Sequence, residues 1–203
     1  MTITLTRPAR AIAVAVGVVI LVAAGLVFWR VDGQDSADDS ITVPYDDAQS
    51  GGLITVCSAD GKGVTEGKVD DKPFADIVIG ETALPSDLDP TGAVATLFAY
   101  QPREGVSTTE FSGTAITAAA VLPDPKQPAT SVPEDAWSIG DFVTAYPADD
   151  DGFVQLRLYL GTPQAGTLSQ SPYDTADLRV DGTGWELVRG GDASCADAES
   201  LVR

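Results

Sequence analysis

Three carboxylates inside predicted strands are the first candidates for chemistry in this chain. Asp76, Asp141 and Glu186 each fall within a segment that we predict to be a β-strand. Two carboxyl groups held roughly 5–10 Å apart on such a scaffold form the acid/base pair of a glycoside hydrolase. Strand alternation also places such side chains in solvent. A carboxylate-dependent, glycosidase-like hydrolase therefore remains an alternative, and we assign no catalytic residue.

An acidic turn offers a second kind of site. Asp149, Asp150 and Asp151 are consecutive, and with Asp87 or Asp89 they could supply oxygen ligands for calcium. Their spacing differs from that of an EF-hand, and consecutive aspartates point their carboxylates in different directions. A charged hairpin turn in solvent explains the same residues. We therefore keep a calcium-dependent surface module as an alternative and assign no metal ligand and no cofactor.

Two residue types, histidine and asparagine, do not occur in the 203 residues. Without histidine the chain has no Ser-His-Asp triad, no Cys-His pair and no H-E-x-x-H zinc site. Without asparagine it has no N-x-[ST] glycosylation site. The four lysines, at positions 62, 68, 72 and 126, lie outside any S-x-x-K motif. These absences favour a non-catalytic role.

The two cysteines, Cys57 and Cys195, stand near opposite ends of the region that follows residue 41. An even count in an oxidising compartment favours a disulfide between them. Two free buried thiols and intermolecular pairing are the alternatives. The bridge would connect the first predicted strand to the C-terminal end of the chain.

One predicted strand, at residues 153–160, is apolar or aromatic on both faces. Alternation places Val154, Leu156, Leu158 and Leu160 on one face. The other face carries Phe153, Gln155, Arg157 and Tyr159. Aromatic side chains around an arginine are typical of protein interfaces, so this second face is our candidate partner face. Ordinary cross-strand packing explains the same pattern.

The remaining pattern predicts an all-β domain, an antiparallel sandwich or barrel of about eight strands. Short segments rich in β-branched and aromatic residues, bounded by Gly, Pro and Asp, predict the strands. They are residues 53–58, 74–80, 93–101, 111–122, 137–146, 153–160, 175–180 and 185–189. The most secure hairpin turns at Asp181-Gly182. A short helix is expected at residues 195–202, where Ser194 and Asp197 have capping spacing. Residues 122–135 and 161–172 are expected to be exposed loops.

The N-terminal part of the chain predicts a membrane anchor. Residues 11–29 are uninterruptedly apolar, and as a helix they would reach roughly 28 Å, close to the hydrocarbon thickness of a bilayer. This run is longer than the apolar core of a cleavable signal peptide, which is the alternative. Arg7 and Arg10 against Arg30 predict a cytoplasmic N-terminus. The predicted organisation is a tail at 1–10, a single transmembrane helix at 11–29, an acidic linker at 30–40 and an extracytoplasmic β domain at 41–203.

The net charge of the chain indicates which classes of partner it would attract or repel. Residues 31–203 hold 30 acidic and 9 basic side chains, a formal charge of −21. Such a chain repels nucleic acid and anionic lipid headgroups. Low lysine and abundant Ala, Asp, Gly and Thr are typical of a high-GC bacterial proteome. The sequence therefore predicts a single-pass bacterial membrane protein, a non-catalytic binding or assembly module with a protein partner in the envelope.

Overall fold

The fold was analysed in a computed structural model, which describes residues 42–202. The predicted tail, the predicted transmembrane helix at 11–29 and the predicted linker at 30–40 lie outside the described residues. Among residues 42–202 no helix is long and apolar enough to cross a membrane.

The described part of the chain is mostly antiparallel β-sheet, with twelve strands and one short α-helix. The strands are β1 (Ser50–Leu53), β2 (Thr55–Cys57), β3 (Glu66–Lys68), β4 (Ile77–Ile79), β5 (Val94–Gln101), β6 (Ser112–Ala115), β7 (Ala120–Val121), β8 (Ala129–Ser131), β9 (Phe153–Thr162), β10 (Gly166–Thr167), β11 (Tyr173–Asp181) and β12 (Gly184–Arg189). The helix is α1 (Ile139–Ala145), and 3₁₀ turns lie at Thr108–Glu110 and Ala198–Leu201.

Two sheets form a sandwich-like arrangement within these residues. The large sheet has the strand order β3-β12-β11-β9-β5-β6, and all neighbours on this path are antiparallel. Strands β7 and β10 pair with β5 and β9, and β1 pairs in parallel with β11. The small sheet has the order β2-β4-β8. The chain passes from one sheet to the other at Ile54, between β1 and β2.

The main core lies on the first face of the large sheet. Val154, Leu156 and Leu158 of β9 belong to one buried apolar cluster with Val78 of the small sheet and Phe142 of α1. Alternate β9 side chains therefore fill the core, as the sequence predicts for that face. The second face of β9, which carries Phe153, Gln155, Arg157 and Tyr159, does not belong to this cluster.

The predicted strand at 137–146 is wrong, because most of this segment is α1. The Ser138 side chain accepts a hydrogen bond from the Asp141 backbone N–H, and the Asp141 carboxylate accepts one from the Ser138 N–H. This reciprocal capping box satisfies two donors that a helix start leaves unpaired. Ile139 and Phe142 are then buried on one side of the short helix.

Two other predicted strands are interrupted. Residues 53–58 divide where the chain changes sheets at Ile54. Residues 111–122 divide into β6 and β7, because the N–H groups of Ile116 and Thr117 both point at the Leu97 carbonyl. A bulge of this kind disrupts the ladder locally and bends the strand.

The predicted loops contain short strands instead. Residues 122–135 include β8, where Ala129 and Thr130 are buried. Residues 161–172 begin with the end of β9, and β10 pairs back onto it. The predicted C-terminal helix is only a 3₁₀ turn at Ala198–Leu201, and its first residue has no side-chain cap.

Two predicted connections are confirmed. The hairpin of β11 and β12 turns at Gly182, which has φ 59°, and Leu178 pairs with Leu187 across it. The disulfide joins Cys57 of β2 to Cys195, with their Cα atoms 5.5 Å apart. The bridge is buried in a second, smaller apolar cluster that includes Ile79 of β4.

Candidate functional site

The second face of the large sheet collects the candidate partner residues. Phe153, Gln155, Arg157 and Tyr159 alternate along β9, and Thr175 and Asp177 of β11 lie directly opposite Arg157 and Gln155. All four candidate side chains are buried, with exposed fractions of 0–3%. The structure thus brings them together on one face and covers them with other parts of the same chain.

The N-terminal strap, which we define as residues 42–50, forms part of this cover. Its Tyr45 ring packs edge-on against Phe111, with ring centroids 5.3 Å apart. The Tyr45 hydroxyl donates a hydrogen bond to the Asp177 carboxylate. The side chain of Asp47, also in the strap, is fully buried against the face. The loop that contains Thr108 and Phe111 completes the cover.

Asp47 and Arg157 form a buried ion pair at the centre of the face. Arg157 Nη2 lies 3.6 Å from Asp47 Oδ2, and the two side chains are 3% and 0% exposed. The Asp47 carboxylate also accepts hydrogen bonds from the Tyr173 hydroxyl at 3.0 Å and from Thr108 Oγ1 at 3.1 Å. Burial raises the pKa of Tyr173, which keeps its hydroxyl protonated as a donor.

Aromatic rings and acceptors surround the Arg157 guanidinium. Its central carbon lies 4.1 Å from the Tyr100 ring centroid and 5.0 Å from that of Tyr173. Nε donates to Gln155 Oε1 at 2.6 Å, and Nη2 donates to the Thr108 carbonyl at 2.8 Å. A planar guanidinium suits this combination of ring faces and directed acceptors better than an ammonium group.

A second ion pair lies beside the first. Arg189 Nε donates to Asp177 at 2.6 Å, and Tyr45 donates to the same carboxylate. Burial raises the pKa of Asp177, while the hydrogen bond from Tyr45 and the charge of Arg189 oppose that rise. Within residues 42–202, Gln155 Nε2 and Arg189 Nη2 are buried without a hydrogen-bond partner. The polar network is therefore incompletely satisfied.

Three of the eight basic side chains in residues 42–202 lie on or beside this face of an otherwise acidic domain. Residues 42–202 hold 26 acidic and 8 basic side chains. The register of β9 and β11 places Arg157 and Arg179 on the second face. Arg189 forms an ion pair with Asp177, which lies on the same face. Arg179 and Arg189 pair with Glu186 and Asp177, and Arg157 is the cation that meets Asp47 of the strap.

An aromatic rim, which we define as Phe98 and Tyr100 of β5, extends the face toward solvent. Both side chains are partly exposed. Phe98 meets Tyr159 edge-on at 5.1 Å and stacks with Tyr100 at 6.3 Å. Unlike the four buried candidate residues, the rim is accessible to solvent with the strap in place.

The three candidate catalytic acids have separate partners. Asp76 accepts a hydrogen bond from the Ala59 N–H at 2.7 Å. Asp141 caps α1 and pairs with Lys72, and Glu186 lies 3.9 Å from Arg179. The hydrogen bond from Lys72 lowers the pKa of Asp141, so this carboxyl is held ionised. The contacts of all three acids stabilise local structure.

The acidic turn shows no calcium cage. Asp151 has φ 50°, and the Asp150 carbonyl accepts from the Phe153 N–H in the turn that leads into β9. Asp89 accepts from the Thr91 N–H instead. Over residues 42–202 no three Asp, Glu, Cys or His side chains are grouped so that they could hold a metal ion.

Sequence reasoning missed the partners of Arg157. An arginine in an otherwise apolar strand indicates a buried counter-ion, because an unpaired buried charge is very costly. That pattern predicts that a carboxylate pairs with Arg157, but it does not identify Asp47 among the 26 acidic residues at 42–202. The polar positions of β11, Thr175 and Asp177, were the other available signal.

No protein-family model, curated protein or solved structure matches this chain. The contacts of its own residues are therefore the basis for assigning a function.

Proposed function

We propose that this chain is a membrane-anchored, non-catalytic module of a bacterial envelope that binds or assembles with a protein partner outside the membrane. The observation that carries the proposal is the aromatic and arginine face built on β9, which reaches solvent at the rim residues Phe98 and Tyr100. Aromatic and arginine side chains dominate the binding energy of many protein interfaces.

The surroundings of the acids favour binding over hydrolysis. A glycosidase needs two carboxyls that converge on one bond. Here Asp76 caps a neighbouring backbone group, Asp141 caps a helix and Glu186 faces Arg179. These engagements support the binding module over the hydrolase alternative.

The proposed location rests on the apolar run in the sequence, and the disulfide is compatible with it. The apolar run at 11–29 would be the single span, with the N-terminus in the cytoplasm and the β domain outside. The Cys57–Cys195 disulfide is compatible with an oxidising, extracytoplasmic compartment.

The candidate partner residues would support the contact surface without being part of it. Because Phe153, Gln155, Arg157 and Tyr159 are buried, they support the rim and do not meet a partner directly while the strap is docked. Partner contact would then fall on the rim itself.

Affinity purification of the full chain from detergent-solubilised membranes tests the proposal. We expect a stoichiometric partner with the wild-type chain and with Ser200→Ala, which changes an exposed side chain of the C-terminal 3₁₀ turn, outside the large sheet. We expect Phe98→Ala to lose that partner while the domain still unfolds in a cooperative transition. Retention of the same partner by Phe98→Ala would contradict the assigned surface. Glycan turnover that depends on Asp76, Asp141 or Glu186 would favour the hydrolase.

A further inference from the structure

The N-terminal strap is attached to the sheet face as a peptide ligand would be. Strand pairing with β11 begins at Ser50, and the Gln49 carbonyl accepts a hydrogen bond from the Tyr173 N–H. N-terminal to Ser50, the side chains of Tyr45 and Asp47 point toward the face. Asp46, which lies between them, and Pro44, which precedes them, are exposed. Tyr45 and Asp47, at alternate positions, therefore both contribute to the attachment of the strap.

The receptor for these two side chains is specific in its chemistry. The Asp47 carboxylate meets the Tyr173 hydroxyl, Thr108 Oγ1 and the Arg157 guanidinium. Convergent donors of this kind recognise a carboxylate. The Tyr45 ring meets Phe111, and its hydroxyl donates to Asp177. The face thus holds the Tyr45-Asp46-Asp47 segment by its first and third side chains.

Two glycines of β1 follow the strap directly. Gly51 and Gly52 come after Ser50, and the register with β11 shifts between Ser50 and Gly52. Glycine tolerates the backbone changes that reorienting the strap requires. N-terminal to the strap, the eleven residues of the predicted linker at 30–40 have a maximum chain length of roughly 38 Å.

We propose that the receptor face accepts the strap of a second copy of this chain, so that two copies exchange residues 42–50. A second copy carries the same Tyr-x-Asp segment, and the exchanged contacts are identical to the internal ones. Exchange of identical elements is a low-cost route to a dimer. This inference rests on the proposed anchoring, because two chains in one membrane share orientation and a raised local concentration.

Cysteine cross-linking between separately tagged full-length chains tests the exchange in membranes. Ser50 Oγ and Thr175 Oγ1 lie 2.7 Å apart, so cysteines at these positions would be within reach of each other. One chain carries Ser50→Cys and the other carries Thr175→Cys. We expect oxidation to join the two tags covalently. A pair of Ser50→Cys with Ser200→Cys, at an exposed position outside the face, measures random collision.

Two further variants separate docking from proximity. Asp47→Asn in the Ser50→Cys chain is expected to reduce mixed cross-linking by about tenfold or more, because hydrogen bonds to a charged group contribute that much. The matched change Asp46→Asn, at the exposed neighbour, is expected to leave it unchanged. A single chain with both Ser50→Cys and Thr175→Cys should form the internal bridge, which shows that the substitutions permit docking.

The outcomes distinguish this inference from the proposed function. Mixed cross-linking at the level of the collision control, with the chain in the membrane fraction, would overturn the exchange and leave the anchor intact. Recovery of the chain in the soluble fraction would overturn the anchoring. Equal effects of Asp46→Asn and Asp47→Asn would show that docking does not depend on the Asp47 carboxylate and would also overturn the proposal.

Discussion

Arg157 places a full positive charge on a buried sheet face, and its neighbours determine whether that charge is tolerated. Removing a guanidinium from water costs several kcal/mol, which geometry and hydrogen bonds must offset. Asp47, Gln155, the Thr108 carbonyl and the Tyr100 ring together provide those contacts. The strap is therefore held by an interaction whose loss leaves an unpaired charge behind.

Asp47→Ala tests this dependence against its neighbour. We expect the variant to lower the free energy of unfolding by about 3–5 kcal/mol, the usual cost of removing one partner of a buried ion pair. Asp46→Ala is the matched control, and its exposed position should limit the change to about 0.5 kcal/mol. Chemical unfolding followed by the fluorescence of the buried Trp185 measures both. Equal stabilities for the two variants would contradict the role of Asp47.

Asp174 is a second buried carboxylate, and it predicts a pH effect. Burial raises its pKa, although the hydrogen bonds from Thr82 and Glu81 oppose the rise. A carboxyl with a raised folded pKa binds its proton more tightly in the native state. Its contribution to the free energy of unfolding therefore falls as the pH rises from 3.8, its ordinary pKa, through the raised value.

Side-chain carboxyl NMR should show Asp174 titrating above Asp89. The comparison is informative because Asp89 is exposed and the hydrogen bonds from Thr91 lower its pKa. Titration of Asp174 at or below Asp89 would mean that its hydrogen bonds outweigh its burial.

Among the elements, α1 shows what local sequence can and cannot predict. Segment 137–146 contains apolar, β-branched and aromatic residues, which favour a strand. A seven-residue helix is too short to display a clear 3.6-residue period. The spacing of Ser138 and Asp141 was the available signal, since a capping box marks a helix start.

Ser138→Ala should weaken the start of α1. Loss of a serine cap typically costs about 1 kcal/mol, because the Asp141 N–H loses its acceptor. Ser169→Ala, at an exposed position in a turn, is the control and should have little effect. Thermal unfolding of both variants provides the measurement. A Ser138→Ala midpoint equal to that of the control would contradict the assigned cap.

The strap and β8 were beyond sequence reasoning for a different reason. β8 has three residues, and its pairing partner β4 lies about fifty positions earlier. Short strands of this kind form because a distant partner is already in place, which local propensity does not encode. The same holds for Asp47, whose partner Arg157 comes from a distant strand.

At the scale of the whole molecule, the predominantly antiparallel β-architecture and the disulfide follow from simple patterns. Repeated short segments with turn residues predicted the class of fold, and two cysteines predicted their pairing. The division into two sheets required the long-range pairing of β1 with β11 and β2 with β4. The candidate face was predicted from β9 alone, whereas its cover required the tertiary structure.

The disulfide should contribute strongly to stability because it closes a long loop. Its cysteines are separated by 138 residues. Replacing both with serine is expected to lower the free energy of unfolding by about 2–5 kcal/mol. Unfolding of the double variant, compared with the wild type under oxidising conditions, measures the loss. A wild type that is equally stable after reduction would contradict this expectation.

We propose that the β domain works outside a membrane and that residues 11–29 anchor it there. A reporter enzyme that is active only outside the cytoplasmic membrane, fused after Arg203, tests the claim most directly when combined with fractionation. We expect reporter activity in the membrane fraction, carried by a chain that retains its N-terminus. Release of a shorter chain beginning near residues 31–40 would contradict the anchor, and an inactive reporter on an intact fusion would contradict the extracytoplasmic location.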